Sequence, residues 1–250
     1  MIASVQRADR ILDLFSGDVT SWSVSEMSRE LEISKSIVWE YATTLESLGL
    51  LRKDGSNRYK LGWRNFQLGI RARLASEIAA PARIEMAKIA SELQEAVQLS
   101  TRHESDVVYL EKIVPTSGVR VNSTRVGERL PAHTTASGEL LLSSLTETEL
   151  EHIYPDQALP QRTSQSIMDR KTLSQRMRKV SAQGFGEDRE ETIQGLCGIA
   201  FPIFNQHGDM IWAISITFYE YKWSTHAKRY RDALREASER LSVLSKSADL

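Results

Sequence analysis

The first 62 residues admit few folds. Val5, Ala8, Ile11, Leu12 and Phe15 recur at helical spacing, which predicts an amphipathic helix over 4–15 closed near Gly17. Ser23, with Glu26 three residues on, carries the capping-box signature, and Val24, Met27 and Leu31 behind it mark a short second helix. Ile33 and Ser34 make the turn to a third helix, capped by Ser34, whose apolar positions are Val38, Tyr41, Leu45 and Leu48. Gly49 stands where a left-handed C-cap belongs. Leu50, Leu51 and Arg52 then read as a strand, 54–57 (DGSN) as a turn, and 58–61 as a returning strand. Three short helices followed by a basic hairpin make a winged helix-turn-helix.

If the apolar stripe of the third helix is buried, Lys35, Ser36, Trp39, Glu40, Thr43 and Ser47 face outward. The early members lie at the helix N-terminus, the end that enters the major groove in such modules. Serine and lysine suit phosphates or base edges, and Glu40 can accept from a cytosine amino group. The hairpin adds Arg52, Lys53, Arg58, Lys60 and Arg64 against Asp54, a local net charge of +4 in a chain whose total is −1. Nucleic-acid affinity is therefore expected to be local to residues 1–75, where the net is +2, with phosphate contacts from the wing.

The remaining pattern alternates helices and strands, as in an α+β domain. Residues 63–78 read as a linker helix exposing Phe66, Leu68, Ile70 and Leu74, an expected dimer contact. Pro81 suits the first turn of the next helix, with Ile84, Ala87 and Leu93 inward. Val97, Leu99 and Thr101, then Val107, Tyr109 and Glu111, alternate as a hairpin. Helices are expected over 136–145, 146–153 and 166–183, strands over 199–204 and 210–218, and a final helix with Ala227, Tyr230, Leu234, Ala237, Leu241 and Leu244 inward.

The runs SVQRADRILDLFS (4–16) and MSRELEISKSIVWEYATTLESLGLLRKDGSNRYKLG (27–62) resemble the DNA-binding domain of IclR-type bacterial transcription regulators. VVYLEKI (107–113), RVGERLPAHTTASGELLLSSL (125–145) and GFGEDREETIQGLCGIAFPIFNQHGDMIWAISIT (184–217) are similar, in order, to signatures of that family's effector-binding domain. The resemblance implies an α+β chain with a winged helix-turn-helix at 1–62, a linker helix at 63–80 and a GAF/PAS-like α/β effector-binding domain at 81–250. It implies operator-DNA contacts through Ser23, Ser34, Lys35, Ser36, Trp39, Glu40, Thr43, Arg58 and Lys60. It also implies effector contacts through His133, Thr134, Thr135, Ala136, Gly138, Asp188, Gly198, Ser215 and Thr217. Asp188 would sit in a polar turn. The amides opening the helix at 136 would receive a ligand carboxylate, with Ile199, Phe201 and Ile214 as an apolar wall. The chain departs from the family pattern at three places. Gly198 stands where a pocket cysteine is common, leaving room for ligand and displacing Cys197 toward the other sheet face. Glu139 replaces a lysine, and Trp39 and Glu40 replace the more usual His/Tyr and Arg.

Chemistry of other kinds is poorly supported. There is no G-x-S-x-G, Walker loop or H-E-x-x-H, and the five histidines lack ligand spacing, so no catalytic residue, metal or cofactor is expected. No apolar run approaches the ~18 residues of a membrane span, no signal peptide opens the chain, and a lone cysteine suits a reducing cytoplasm. The expected partners are double-stranded operator DNA, a small organic acid or acyl effector, and further copies of the chain as a dimer or dimer of dimers. The expected role is that of a repressor of a catabolic operon. Two competing readings are an enzyme using Cys197 or His133 with a fused helix-turn-helix, and a constitutive DNA-binding protein.

Overall fold

The computed structural model describes residues 2–74, 79–115 and 124–247. The chain divides into two compact units, Met1–Ser76 and Glu77–Leu250.

The first unit holds α1 (Ala3–Asp13), α2 (Val24–Leu31), α3 (Lys35–Ser47), β1 (Leu51–Lys53), β2 (Tyr59–Leu61) and α4 (Trp63–Leu74). Ile11, Met27, Val38, Leu45 and Tyr59 close one core beneath the three helices and the hairpin. The capping box is formed in both directions: Glu26 N–H donates to the Ser23 hydroxyl and Ser23 N–H to the Glu26 carboxylate. Glu32 takes the left-handed conformation, φ 55°, that ends α2, and Gly49, φ 76°, follows the end of α3. Two expectations shift here. Ser34 precedes α3, but its hydroxyl meets that of Ser36 and caps no amide. Leu48 is exposed and Ala42 is buried in its place, because a 3.6-residue period carries the stripe from Val38 to Ala42 to Leu45. On α4, Trp63, Phe66, Leu68 and Ile70 are exposed, as the linker reading expects. The side chain of Leu74 and residues 75–78 lie outside the described residues.

The second unit is one antiparallel sheet of six strands: β3 (Ala96–His103), β4 (Asp106–Ile113), β5 (Arg129–Pro131), β6 (Gly186–Arg189), β7 (Leu196–Phe204) and β8 (Met210–Tyr219), in the order β5-β4-β3-β8-β7-β6. Helices α5 (Ala79–Leu93) and α9 (Trp223–Ser247) cover one face. The other carries α6 (Ala136–Leu142), α7 (Glu147–Ile153) and α8 (Arg170–Gln183). Strand alternation sorts the side chains: Ile199, Phe201, Ile214 and Ile216 point to α5 and α9, whereas Ala200 and Ala213 meet α6.

Several expectations are corrected. Asp188 lies in an edge strand, β6, and not in a turn. Helix α8 starts after Asp169, which accepts the Thr172 N–H, so residues 166–169 precede it. On α5, Ala82, Met86, Ile89 and Leu93 are buried, while Ile84 and Ala87 are exposed. Leu244 is partly exposed near the end of α9. A bulge also interrupts the regular alternation in β4. Ser100 pairs with Tyr109 but Leu99 with Glu111, so Leu110 is skipped. Glu111 therefore turns to α5, where it pairs with Arg83, and Lys112 comes round to the face that Tyr109 occupies.

Candidate functional site

Two places carry chemistry, one in each unit. In the first, α3 presents Lys35, Ser36, Trp39 and Glu40 to solvent, with Trp39 57% exposed. Thr43 is half-buried and its hydroxyl has no partner. The basic hairpin is less available than its charge implies. The Arg58 guanidinium donates to the Ser21 carbonyl at 2.8 Å and the Ser21 hydroxyl at 3.1 Å, and it pairs with Glu26 at 2.7 Å. Those bonds from Ser23 and Arg58 hold the Glu26 carboxyl down at about 2. Lys60 bridges to Asp54 at 3.2 Å, and Lys53 lies over the Tyr59 ring and 3.6 Å from Glu46. Arg58 thus clasps the wing to α2 in the DNA-free protein, where the sequence reading expected it on a phosphate. Ser23 likewise has its hydroxyl accepting within the capping box.

In the second unit a cavity of about 30 Å³, room for one or two waters, opens between the sheet and the start of α6. Thr135, Ala136, Asp188, Gly198, Ser215 and Thr217 all line it, so six of the nine expected effector residues converge. Three do not. His133 stands in a separate cleft beside Tyr154 and Pro160. Its Nε2 lies 2.9 Å from the Pro160 carbonyl, which only accepts, so Nε2 carries a proton; burial disfavours the charged ring. The Thr134 hydroxyl donates to the Pro131 carbonyl. Gly138 lies against the Ala132 backbone, where a Cβ would collide with the carbonyl.

Two of the amides that open α6 are already taken by side chains of the protein. The Ala136 N–H donates to Asp188 Oδ2 at 3.3 Å and the Gly138 N–H to the Thr135 hydroxyl at 3.0 Å. Gly198 makes this possible, since a Cβ there would collide with Asp188 Oδ2. The room the missing side chain leaves is therefore filled by Asp188. The expected apolar wall is also corrected. Ile199, Phe201 and Ile214 must lie on the far face if Ser215 and Thr217 face the cavity, and Tyr109, Leu130, Ile193 and Leu196 line it instead.

Behind the cavity lies a buried ion cluster. Arg176 Nη1 donates to both oxygens of Glu139, at 3.0 and 3.2 Å, and to Glu191 Oε1 at 3.1 Å. Glu139 is fully buried and Glu191 nearly so. Burial, and for Glu139 the charge of Glu191, pushes both carboxyls above their ordinary range. Asp188 is raised to about 7, chiefly by burial and then by Glu191, against the Ala136 and Glu191 amides. Cys197 packs among the α9-side core residues, and burial lifts its thiol to about 12, so it is an inert thiol rather than a nucleophile.

Residues 73–243 match the family model for the C-terminal part of the bacterial transcriptional regulator IclR, and residues 4–55 match the IclR helix-turn-helix domain. The chain belongs to the IclR family. It is 31% identical over 243 residues to the HTH-type transcriptional regulator KdgR of Dickeya chrysanthemi, covering 96% of this chain and 79% of that one. It is 26% identical to the HTH-type transcriptional repressor AllR of Escherichia coli K12, covering 96% and 90%. The structure of an IclR regulator from Alicyclobacillus acidocaldarius superposes with a TM-score of 0.84 at 25% identity over 98% of this chain and 99% of that one. An IclR homologue from Microbacterium hydrocarbonoxydans, solved with 4-hydroxybenzoate, has the same fold at 24% identity, with a TM-score of 0.79 over 96% and 98%. The relatives are transcriptional regulators, not enzymes. Among the described residues no helix is long and apolar enough to cross a membrane, and no group of side chains is placed to hold a metal ion.

As an IclR protein the chain has cavity residues that sequence reasoning missed: Tyr109, Thr124, Ser137 and Thr192 line it. Ser137 was legible as the middle of the T-A-S-G run. Tyr109 and Thr124 come from β4 and the segment before β5, far away in sequence, and carried no local signal. Gln98 was also missed. Wholly buried on β3, it donates to the Thr217 hydroxyl at 3.0 Å and accepts from Ser215 at 3.5 Å.

Proposed function

We propose that this DNA-binding IclR-family protein is a cytoplasmic repressor of a catabolic operon whose operator affinity is set by a small organic acid or related acyl compound in the second unit. The observation that supports this most is the small polar cavity in which Asp188, Ser215 and Thr217 converge with the start of α6. A few fixed hydrogen-bonding groups on an otherwise apolar wall are what a small polar ligand requires. The ligand acts through its differing affinity for DNA-competent and DNA-incompetent arrangements. The reading divides the chain at 1–62, 63–80 and 81–250. It takes Lys35, Ser36, Trp39, Glu40 and Thr43 to the bases and backbone of a palindromic operator, with two reading heads brought together through the exposed apolar residues of α4 in a dimer or dimer of dimers.

The test is an operator mobility-shift titration with and without effector, in wild type and Ser215→Ala. Truncating a hydroxyl that pairs with a buried ligand group is expected to raise the effector concentration needed by about 10- to 100-fold. Equal responses in the two proteins move the site elsewhere. In the same assay Lys35→Ala is expected to reduce the slope of log affinity against log salt by about one, whereas Arg58→Ala is expected to leave that slope unchanged and to lower the thermal stability of the free protein. A flattened slope for Arg58→Ala with an unchanged melting temperature would return Arg58 to the phosphates.

A further inference from the structure

We infer that the β6–β7 connection, residues 190–195, is a strap over the cavity, latched to α6 through Arg176, and that Glu139 weakens the latch by competing for the same arginine nitrogen. The inference goes beyond the effector reading and does not depend on what the effector is.

The strap is built to move as a unit. Left-handed backbone at Glu190, φ 61°, and at Gly195, φ 82°, turns it sharply at both ends. The Glu190 carboxylate accepts the Gly195 N–H at 2.7 Å, and the Glu190 N–H donates to the Leu196 carbonyl at 2.8 Å, so the loop is closed on itself. Its outer side is joined to residues 162–166, which lie outside any helix or strand. The Thr163 and Ser166 hydroxyls donate to the Glu190 and Glu191 carbonyls, each at 2.6 Å, and Arg162 donates to the Thr192 carbonyl at 3.4 Å. Those bonds tie one connection to another and do not hold the strap to the sheet. Its inner side supplies Thr192 and Ile193 to the cavity wall. The room beneath them takes one or two waters, so a larger occupant needs part of the wall to move.

Three ties join the strap to the start of α6 and the residues before it. The Asp188 carboxylate takes the Glu191 N–H together with the Ala136 N–H. The Thr192 hydroxyl donates to the Thr134 carbonyl. Arg176 joins the Glu191 side chain to Glu139, and this third tie is divided. Arg176 Nη1 carries two protons and faces three oxygens: both of Glu139, at 3.0 and 3.2 Å, and Glu191 Oε1 at 3.1 Å. The other oxygen of Glu191, Oε2, is buried with no partner, an unfavourable state for a carboxylate. Asp188 and Glu139 surround it with like charge. The two ends of the latch therefore differ. If the strap swings out, both Glu191 oxygens regain water, and Arg176 keeps Glu139 and is not stranded. Opening in this direction leaves no buried charge alone, which makes the strap the low-stability part of the wall.

Hydrogen exchange of the full chain at pH 8 tests the latch. Glu191→Ala leaves the Arg176–Glu139 pair in place and is expected to lower protection of the strap peptide about 10-fold or more, with β7 and α9 unchanged. Glu139→Gln keeps the volume but weakens the competing acceptor, and is expected to raise strap protection, whereas a packing role for Glu139 would lower it. Access to the cavity is read in a Ser137→Cys background, Ser137 being a buried wall residue, by labelling with methyl methanethiosulfonate. Glu191→Ala is expected to speed that labelling about 10-fold or more and Glu139→Gln to slow it, with Cys197 as the buried control in the same chain. Strap protection or labelling that Glu191→Ala leaves unchanged overturns the inference. So does protection that falls equally across the whole unit, or a Glu139→Gln strap no tighter than wild type.

Discussion

Arg176→Met is expected to destabilise the protein by on the order of 3–5 kcal/mol at pH 8, and by much less at pH 5. Arg176 is the cation that both Glu139 oxygens and Glu191 address. Glu139 is wholly buried, so removing its partner leaves a carboxylate that water cannot reach, the situation in which breaking a buried pair costs most. The folded-state values of both acids are already raised by burial with the arginine present. Without it they rise further, and the native state then binds protons that the unfolded chain releases. Stability of the variant therefore falls as pH rises past the ordinary carboxylate range, and the deficit shrinks as acid protonates Glu139 and Glu191. Urea unfolding at the two pH values reads this directly. A deficit below about 1 kcal/mol, or one indifferent to pH, would show that the cluster is solvated and not a buried ion network. Glu139→Gln combined with Arg176→Met is expected to recover part of the loss, because the charge left stranded is then reduced.

Asp188→Asn is expected to do the reverse and stabilise the ligand-free protein at pH 8, by roughly 2–4 kcal/mol. Asp188 ionises near 3.8 when unfolded and at about 7 when folded. Below about pH 4 it is protonated in both states and contributes no penalty. Between about 4 and 7 the unfolded chain gives up the proton that the native state retains, so wild-type stability declines across that window. An asparagine has no proton to give up, and the two pH profiles should diverge from about pH 4 upward. The asparagine oxygen can still accept the Ala136 N–H, but its amide nitrogen cannot accept the Glu191 N–H, so the gain is offset by one weaker bond and one lost bond. Profiles that run parallel would mean that Asp188 is ionised and satisfied in the native state. A stabilised variant that responds less to effector would identify the aspartate as a residue retained for binding at a cost in stability.

The N-terminal unit was nearly complete in the sequence because its signals are local. Ser23 and Glu26 lie three residues apart, Gly49 closes the helix it follows, and the turn residues 54–57 separate two strands that pair with each other. Helix periodicity, caps and tight turns act over four to seven residues, and that is the range in which a chain can be read without coordinates. What the sequence did not show there was long-range. The fold brings Ser21 and Glu26, more than thirty residues earlier, onto the Arg58 guanidinium, which the sequence had offered only as a phosphate ligand.

The effector unit divides along the same line. By itself the sequence determined the family, the order of the helices and of four of the six strands, and six of its nine expected effector residues do converge on the cavity, since alternation puts Ser215 and Thr217 on one face. Only the tertiary structure decided what that face meets. Asp188 became an edge-strand residue bonded to the start of α6, Glu139 became part of a buried ion cluster with a helix residue 37 positions on, and a skipped residue in β4 turned Lys112 to the sheet face that Tyr109 occupies. A bulge leaves no mark in composition or period, and a buried charge is recognisable only by the partner that folding supplies. Both are products of burial, and burial belongs to the whole chain rather than to any one stretch of it.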